Sequence, residues 1–280
     1  MKVRCPHCYN PIDVIDESTL NSIECPSCGS SFDLLRDSST ISYLPSEREQ
    51  ITHFELIEKL GTGAFGTVWK ARDTQLDRTV ALKVPRKADL DENEAEKFIR
   101  EARAAAQLRH PNIVSVHEVG REGATIYIVS DFVEGLTLSD YLTGQALTAR
   151  EAAEICTTVA EAVNHAHECG VIHRDLKPGN VMLDLNGIPH VMDFGLAKRE
   201  VGEITVTVEG QILGTPAYMS PEQAQGESHR VDRRSDIYSI GVILFELLTN
   251  ERPFRGNARM LLHQVIHDEA PSPRKLNVNV

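Results

Sequence analysis

Four cysteines stand near the amino terminus as two pairs, Cys5-Pro6-His7-Cys8 and Cys25-Pro26-Ser27-Cys28, with sixteen residues between them. This spacing lies in the window where two C-x2-C turns bring four thiolates tetrahedrally around one zinc ion. A segment so short buries too little apolar surface to fold without a metal or a crosslink. Residues 1–36 are therefore predicted to be a zinc-ribbon-like module with structural Zn2+ on Cys5, Cys8, Cys25 and Cys28. His7 is left out, since four sulfurs fill the shell. Further on, Gly61-Thr62-Gly63-Ala64-Phe65-Gly66-Thr67-Val68 follows an alternating strand, and glycines there let backbone N–H groups approach a phosphate chain. A dinucleotide fingerprint requires a helix after the last glycine, whereas Val68-Trp69-Lys70 reads as strand, so the loop is predicted to be a hairpin folded over a nucleotide. Val80-Ala81-Leu82-Lys83 then offers a lysine on a strand, with Glu101 on the next helix placed to hold it by an ion pair. Three further clusters follow in order: His173-Arg174-Asp175-Leu176-Lys177-Pro178-Gly179-Asn180, Asp193-Phe194-Gly195 and Ser220-Pro221-Glu222.

These groups need a scaffold. Phe54 to Leu60 alternates apolar and polar residues as a half-buried strand does, and Val68–Ala71 and Val80–Val84 read as two more. From Glu94 to Leu108, the residues Phe98, Ala102, Ala105 and Leu108 recur at helical spacing before Pro111. Strands are expected over Ile113–Val119 and Thr125–Val129. Beyond Gly135 the pattern turns helical: Ala152, Ile155, Val159, Ala162 and Ala166 form a stripe that ends at Gly170. Cys156 and Cys169 lie in or beside that stripe and read as small hydrophobes. Ile237–Leu248 is apolar nearly all round and is expected to be buried. The predicted class is α+β, with a small β-rich lobe ahead of a larger, mainly helical one. The polar, proline-bearing stretch 37–53 reads as a linker, which leaves 54–280 as the main domain.

With 29 basic against 41 acidic residues the net charge is −12, which disfavours nucleic acid as the main partner. Residues 1–36 are also net acidic, so a protein partner or a structural role is expected for the ribbon. No apolar run is long enough to span a bilayer and the start lacks an apolar signal region, so the chain is expected to be cytoplasmic, with any membrane anchor of a parent chain beyond residue 280.

In combination, the glycine hairpin, Lys83, Glu101 and the three later clusters resemble the eukaryotic-type (Hanks-type) Ser/Thr protein kinases over residues 54–280. The stretch Gly214-Thr215-Pro216-Ala217-Tyr218-Met219-Ser220-Pro221-Glu222-Gln223 is most similar to the bacterial members. The resemblance implies the bilobal kinase fold and transfer of the ATP γ-phosphate to protein Ser/Thr hydroxyls with Mg2+ (or Mn2+). It implies that Lys83, held by Glu101, pairs with the α- and β-phosphates beneath the Gly61, Gly63 and Gly66 loop. Asn180 and Asp193 are implied to hold the metal, Asp175 to take the acceptor's proton, and Lys177 to stabilise the γ-phosphoryl group. Leu60, Val68, Ala81 and Met182 are implied to enclose the adenine, Asp131 and Val133 to offer backbone groups, and Asp140 to meet the ribose. Ser130, being small, is expected to leave the back of the pocket open. Arg174 is implied to read a phosphorylated activation segment, with Thr207 first and Thr205 second as autophosphorylation candidates, and Thr215 to pack against Asp175 and Lys177.

Two substitutions depart from the family pattern, Ser220 for alanine and Gly179 for a larger residue, and neither is expected to touch the chemistry. Family members continue past the helix at 258–267, so the large lobe is expected to lack its last helices, Glu222 its partner, and Ile237–Leu248 part of its cover. The 280-residue chain by itself is accordingly expected to be poorly stable and weakly active.

Overall fold

The computed structural model describes residues 49–280 except 64–65, 86–91, 124, 145 and 195–215, together with four short strands nearer the amino terminus. Those strands form two antiparallel pairs, β1 (Lys2–Arg4) with β2 (Pro11–Asp13) and β3 (Ile23–Glu24) with β4 (Ser31–Phe32). They lie in one compact unit, Met1–Glu47, and the rest of the chain, Arg48–Val280, forms a second. The four candidate zinc ligands, Cys5, Cys8, Cys25 and Cys28, lie outside the described residues or side chains.

The second unit opens with a six-stranded antiparallel sheet. Its members are β5 (Gln50–Ile51), β6 (Phe54–Gly63), β7 (Gly66–Asp73), β8 (Arg78–Pro85), β9 (Val116–Glu122) and β10 (Thr125–Asp131), ordered β5-β6-β7-β8-β10-β9. Period-2 alternation divides β8 between two faces. Val80 and Leu82 are buried with Phe54, Ala71, Tyr127 and Val129 on one side. Ala81 and Lys83 therefore point the other way. Register extends that face across the sheet, because Lys83 stands opposite both Val68 and Ile128 and Ala81 opposite Ser130, and directly paired residues share a face. Helix α1 (Glu92–Ala105) packs on the same side, with Ala95, Phe98 and Ala102 against Ile126 and Ile128.

Sequence reading placed a strand at Ile113–Val119; the structure starts it at Val116. Residues 112–114 instead dock on the other lobe. Ile113 makes a parallel bridge to Val191, Val114 N–H donates to the Val191 carbonyl at 2.9 Å, Val191 N–H donates to the Asn112 carbonyl at 2.8 Å, and the Asn112 side chain donates to the Pro189 carbonyl at 2.9 Å.

The larger lobe packs α3 (Ala149–Glu168) against α5 (Arg233–Thr249), with α2 (Leu138–Leu142), α4 (Pro221–Ala224) and α6 (Ala258–His267) around them. Thr148 and Glu151 form a capping box at the start of α3, and Gly170 at φ 76° follows its end, so the predicted helix and its stop are both present. A three-stranded sheet that the sequence did not suggest, β11 (Gly135–Thr137), β12 (Val181–Asp184) and β13 (Pro189–Val191), pairs Thr137 with Met182 and lays the connection between the lobes over the catalytic-loop strand.

Two expectations about α5 need correction. The helix is not buried all round: Ile237 is 58% exposed, while Ser235, Asp236 and Ser239 are buried. The first turns of its inner face make polar contacts, Ser239 Oγ donating to the Tyr218 carbonyl at 2.8 Å and Asp236 gripping the catalytic loop, while Val242, Ile243, Phe245 and Leu247 are buried farther along. Glu222 is not left without a partner either, since the Ser235 hydroxyl in the first turn of α5 donates to it.

Candidate active site

The shared face of β7, β8 and β10 roofs a cavity of about 510 Å3, floored by Met182 on β12. Leu60, Gly61, Val68, Ala81, Lys83, Asp131, Val133, Asp140, Met182 and Asp193 all line it. The cavity also runs past half-buried Ser130 to Ala105, Leu108, Ile128 and Phe194, so its back is open in the way a small side chain at 130 allows. Gly63 and Gly66 are not among the described residues that line it. Gly66, at φ 137°, would drive a Cβ to within 2.1 Å of the Val84 carbonyl oxygen, which makes glycine there a requirement of the hairpin. Asp140 lies in the first turn of α2. Its backbone N–H donates to the N-cap Thr137 hydroxyl at 3.0 Å and its carboxylate accepts from that hydroxyl at 2.7 Å, so Asp140 is held by the cap of the helix while it lines the cavity.

Across the mouth of the cavity, Lys83 Nζ donates to Asp193 Oδ2 at 2.8 Å, joining the two lobes by a charge-assisted bond. Burial opposes ionisation of Asp193, but Lys83 outweighs it and holds the carboxyl below its ordinary range. Asp193 itself has φ 65°, a left-handed conformation uncommon for a non-glycine residue. Glu101 is half-buried on α1, which covers the face that carries Lys83.

The catalytic loop sits below. Asp175 Oδ2 accepts from Lys177 Nζ at 2.7 Å and from Asn180 Nδ2 at 3.1 Å, and that same amide nitrogen donates to the Asp175 carbonyl at 2.8 Å. Fully buried His173 accepts at Nδ1 from Asp175 N–H (3.3 Å) and meets the Met192 carbonyl at Nε2 (2.9 Å), a pair of contacts that the neutral Nε2–H tautomer satisfies. Its ring also packs on Phe194, with centroids 4.8 Å apart. Arg174 is left-handed at φ 69°.

Two residues that hold this loop, Asp236 and Gln223, carry no role in the sequence analysis. Asp236, on the buried face of α5, accepts Arg174 N–H at 2.8 Å, His173 N–H at 2.9 Å and His167 Nε2 at 2.7 Å. Burial resists its charge, yet the His167 contact and the backbone donors win and depress its pKa. Gln223 donates to the Arg174 carbonyl at 2.7 Å. One signal was available: Asp236 falls at helical spacing with Ser239 and Ile243 on a mostly apolar helix, and an aspartate on a buried stripe needs several donors. Thr205, Thr207, Thr215 and Gly195 lie outside the described residues.

A glycine hairpin over a nucleotide-sized cleft, a strand lysine on one lobe and an aspartate–asparagine–lysine loop on the other together define a protein kinase. Residues 54–279 match the family model described as Protein kinase domain, and the chain belongs to that family. It is similar to the serine/threonine-protein kinase PrkC of Bacillus subtilis (strain 168), 39% identical over 230 residues, covering 81% of this chain and 35% of the relative. It is also similar to the serine/threonine-protein kinase PknB of Mycolicibacterium smegmatis, 42% identical over 237 residues, covering 81% and 37%. The chain thus spans little more than a third of the length of these curated relatives. Among solved structures, a point mutant of the Mycobacterium tuberculosis PknI kinase domain superimposes with TM-score 0.65 at 25% identity, covering 84% of this chain and 85% of that one. No helix among the described residues is long and apolar enough to cross a membrane.

Proposed function

We propose that this chain is an ATP-dependent Ser/Thr protein kinase acting on protein substrates in signalling. The observation that carries the reading is the pairing, within one cleft, of Lys83 with Asp193 and of Asp175 with Lys177 and Asn180. The donor set suits a hard divalent cation: Asp193 supplies carboxylate oxygen, and Asn180, its nitrogen committed to Asp175, has its amide oxygen to give. Asn180 and Asp193 are the residues to hold Mg2+ (or Mn2+), and the bound ion neutralises charge on the phosphates.

The chain's own groups do the rest. Lys83, with Glu101 as the partner the family resemblance implies, positions the phosphates by charge while Gly61, Gly63 and Gly66 bring backbone N–H groups over them. Asp175 orients the acceptor hydroxyl and accepts its proton, its carboxylate steered by the bonds that Lys177 and Asn180 both make to Oδ2. Lys177 then faces the transferring group, where its positive charge is most useful. Leu60, Val68, Ala81 and Met182 make an apolar slot for adenine, with the backbone at Asp131 and Val133 at its edge and Asp140 toward the ribose. Arg174 reads a phosphorylated activation segment through charge-assisted bonds, with Thr207 and Thr205 as the autophosphorylation sites and Thr215 packed at the acceptor site. Ahead of the kinase domain (54–280), and joined to it by the linker 37–53, residues 1–36 form a zinc ribbon on Cys5, Cys8, Cys25 and Cys28 that is structural or engages a protein partner.

The test is γ-phosphate transfer onto a Ser/Thr peptide library by the protein. Label on Ser or Thr supports the reading, and its absence with Mg2+ and Mn2+ alike refutes it. Phosphopeptide mapping of the active protein is expected to find Thr207 or Thr205 modified.

A further inference from the structure

Gln223 is 4% exposed, and both ends of its amide are in use. Its Oε1 accepts from the Ser220 backbone N–H at 3.0 Å and from the Ser220 hydroxyl at 3.2 Å. Its Nε2 donates to the Arg174 carbonyl at 2.7 Å. Asp236 holds the N–H of that same residue at 2.8 Å. Arg174, left-handed at φ 69°, is therefore gripped on its amide by α5 and on its carbonyl by α4, and the residue that follows it is Asp175. Sparsely populated backbone conformations cost free energy and persist only where the surroundings over-determine them. A side chain with a donor and an acceptor at one planar end is required to join these two backbones, which an amide provides without adding a charge.

We propose that Gln223 is a positioning residue for phosphoryl transfer: it locks the segment entering α4 at Ser220 to the backbone just before Asp175, so that acceptor-side chain and base move as one frame. The inference deepens the kinase reading and rests on it. It also gives a purpose to the hydroxyl of Ser220, which the sequence alone left outside the chemistry.

The experiment compares Gln223→Glu and Gln223→Met with the unsubstituted parent protein, measuring peptide phosphorylation against pH. Glutamate keeps the acceptor for Ser220 and sets a second acceptor against the Arg174 carbonyl. The expected result near neutral pH is a fall in kcat of about tenfold, the equivalent of ~1.4 kcal/mol, with KM for ATP unchanged, because Gln223 does not line the nucleotide cavity. As pH falls and the carboxyl takes a proton, it donates to Arg174 again and kcat recovers relative to the parent, a change that mere loosening of the fold does not produce. Methionine fills the volume with neither function, and is expected to lose kcat equally without recovery. A Gln223→Met protein with the parent's ATP affinity and the parent's kcat overturns the proposal, and so does a Gln223→Glu protein whose kcat matches the parent's at every pH. If the glutamate variant does not fold, the methionine variant decides alone. A parent without transfer activity would sink the kinase reading instead, so the two failures are distinguishable.

Discussion

Asp236 is the site where a single-atom change is expected to cost most. Asp236→Asn preserves shape and replaces one carboxylate oxygen by an NH2 group. Oδ2 takes two donors, His173 N–H and His167 Nε2, and Oδ1 takes one, Arg174 N–H. The favoured placement of the amide keeps its oxygen on the pair, which turns its NH2 toward the Arg174 N–H. One hydrogen bond to a charged acceptor is lost, about 1.5–3 kcal/mol, and a part-buried N–H is stranded, about 1–3 kcal/mol, with some overlap between the two. The expected destabilisation is about 2–4 kcal/mol at neutral pH. Its pH dependence has a definite sign. The folded carboxyl titrates below its ordinary value, so its contribution is complete above about pH 4 and is lost as pH falls through the depressed native value. Urea unfolding of parent and variant, read as the difference in midpoint at a common slope, measures both effects. A gap under about 1 kcal/mol at neutral pH, or one that widens on acidification, would refute the reasoning.

Asp175→Asn is expected to abolish peptide phosphorylation with ATP affinity nearly unchanged, whereas Asp193→Asn, which loses the carboxylate paired with Lys83, is expected to weaken Mg2+-dependent nucleotide binding too; isothermal titration beside a turnover assay separates them. Gly66→Ala places a methyl against the Val84 carbonyl in a backbone conformation alanine resists, and should lower thermal stability by about 1–3 kcal/mol; an unchanged melting temperature counts against the hairpin geometry. Elemental analysis should find one equivalent of zinc per chain, and a Cys25→Ser, Cys28→Ser double variant should lose it; unaltered zinc would reject the four-cysteine assignment.

What sequence made legible follows from how local each signal is. The alternation in β8 and the apolar stripe of α3 are short-range patterns, and both elements stand where they were expected, with Lys83 on the face that meets the cavity. The short strands β11 and β13 carry too few residues to show a period; β11 exists because it meets β12 from about 45 positions away, and β13 because it folds back on β12 across a four-residue turn. The start of β9 was misread for a related reason: Ile113 is apolar and strand-like, but its pairing partner, Val191, lies in the other lobe. Asp236 and Gln223 were passed over because their importance resides in contacts to residues 62 and 49 positions away. The polar first turns of the inner face of α5 were not legible, since hydrophobic counting alone assigns Ser235, Asp236 and Ser239 to solvent.

The docking of residues 112–114 onto β13 has a mechanical consequence. Apart from the Lys83–Asp193 bond at the cleft, the lobes are joined by the covalent run from Asp131 to Gly135 and, separately, by the hydrogen-bonded clasp of Asn112 and Val114 on Pro189 and Val191. A body pinned at one point can swivel in any direction; a body pinned at two turns freely only about the line through them. Once the Lys83–Asp193 bond is released, these two joints favour a door-like swing of the cleft over sideways shear, which has to break the clasp as well.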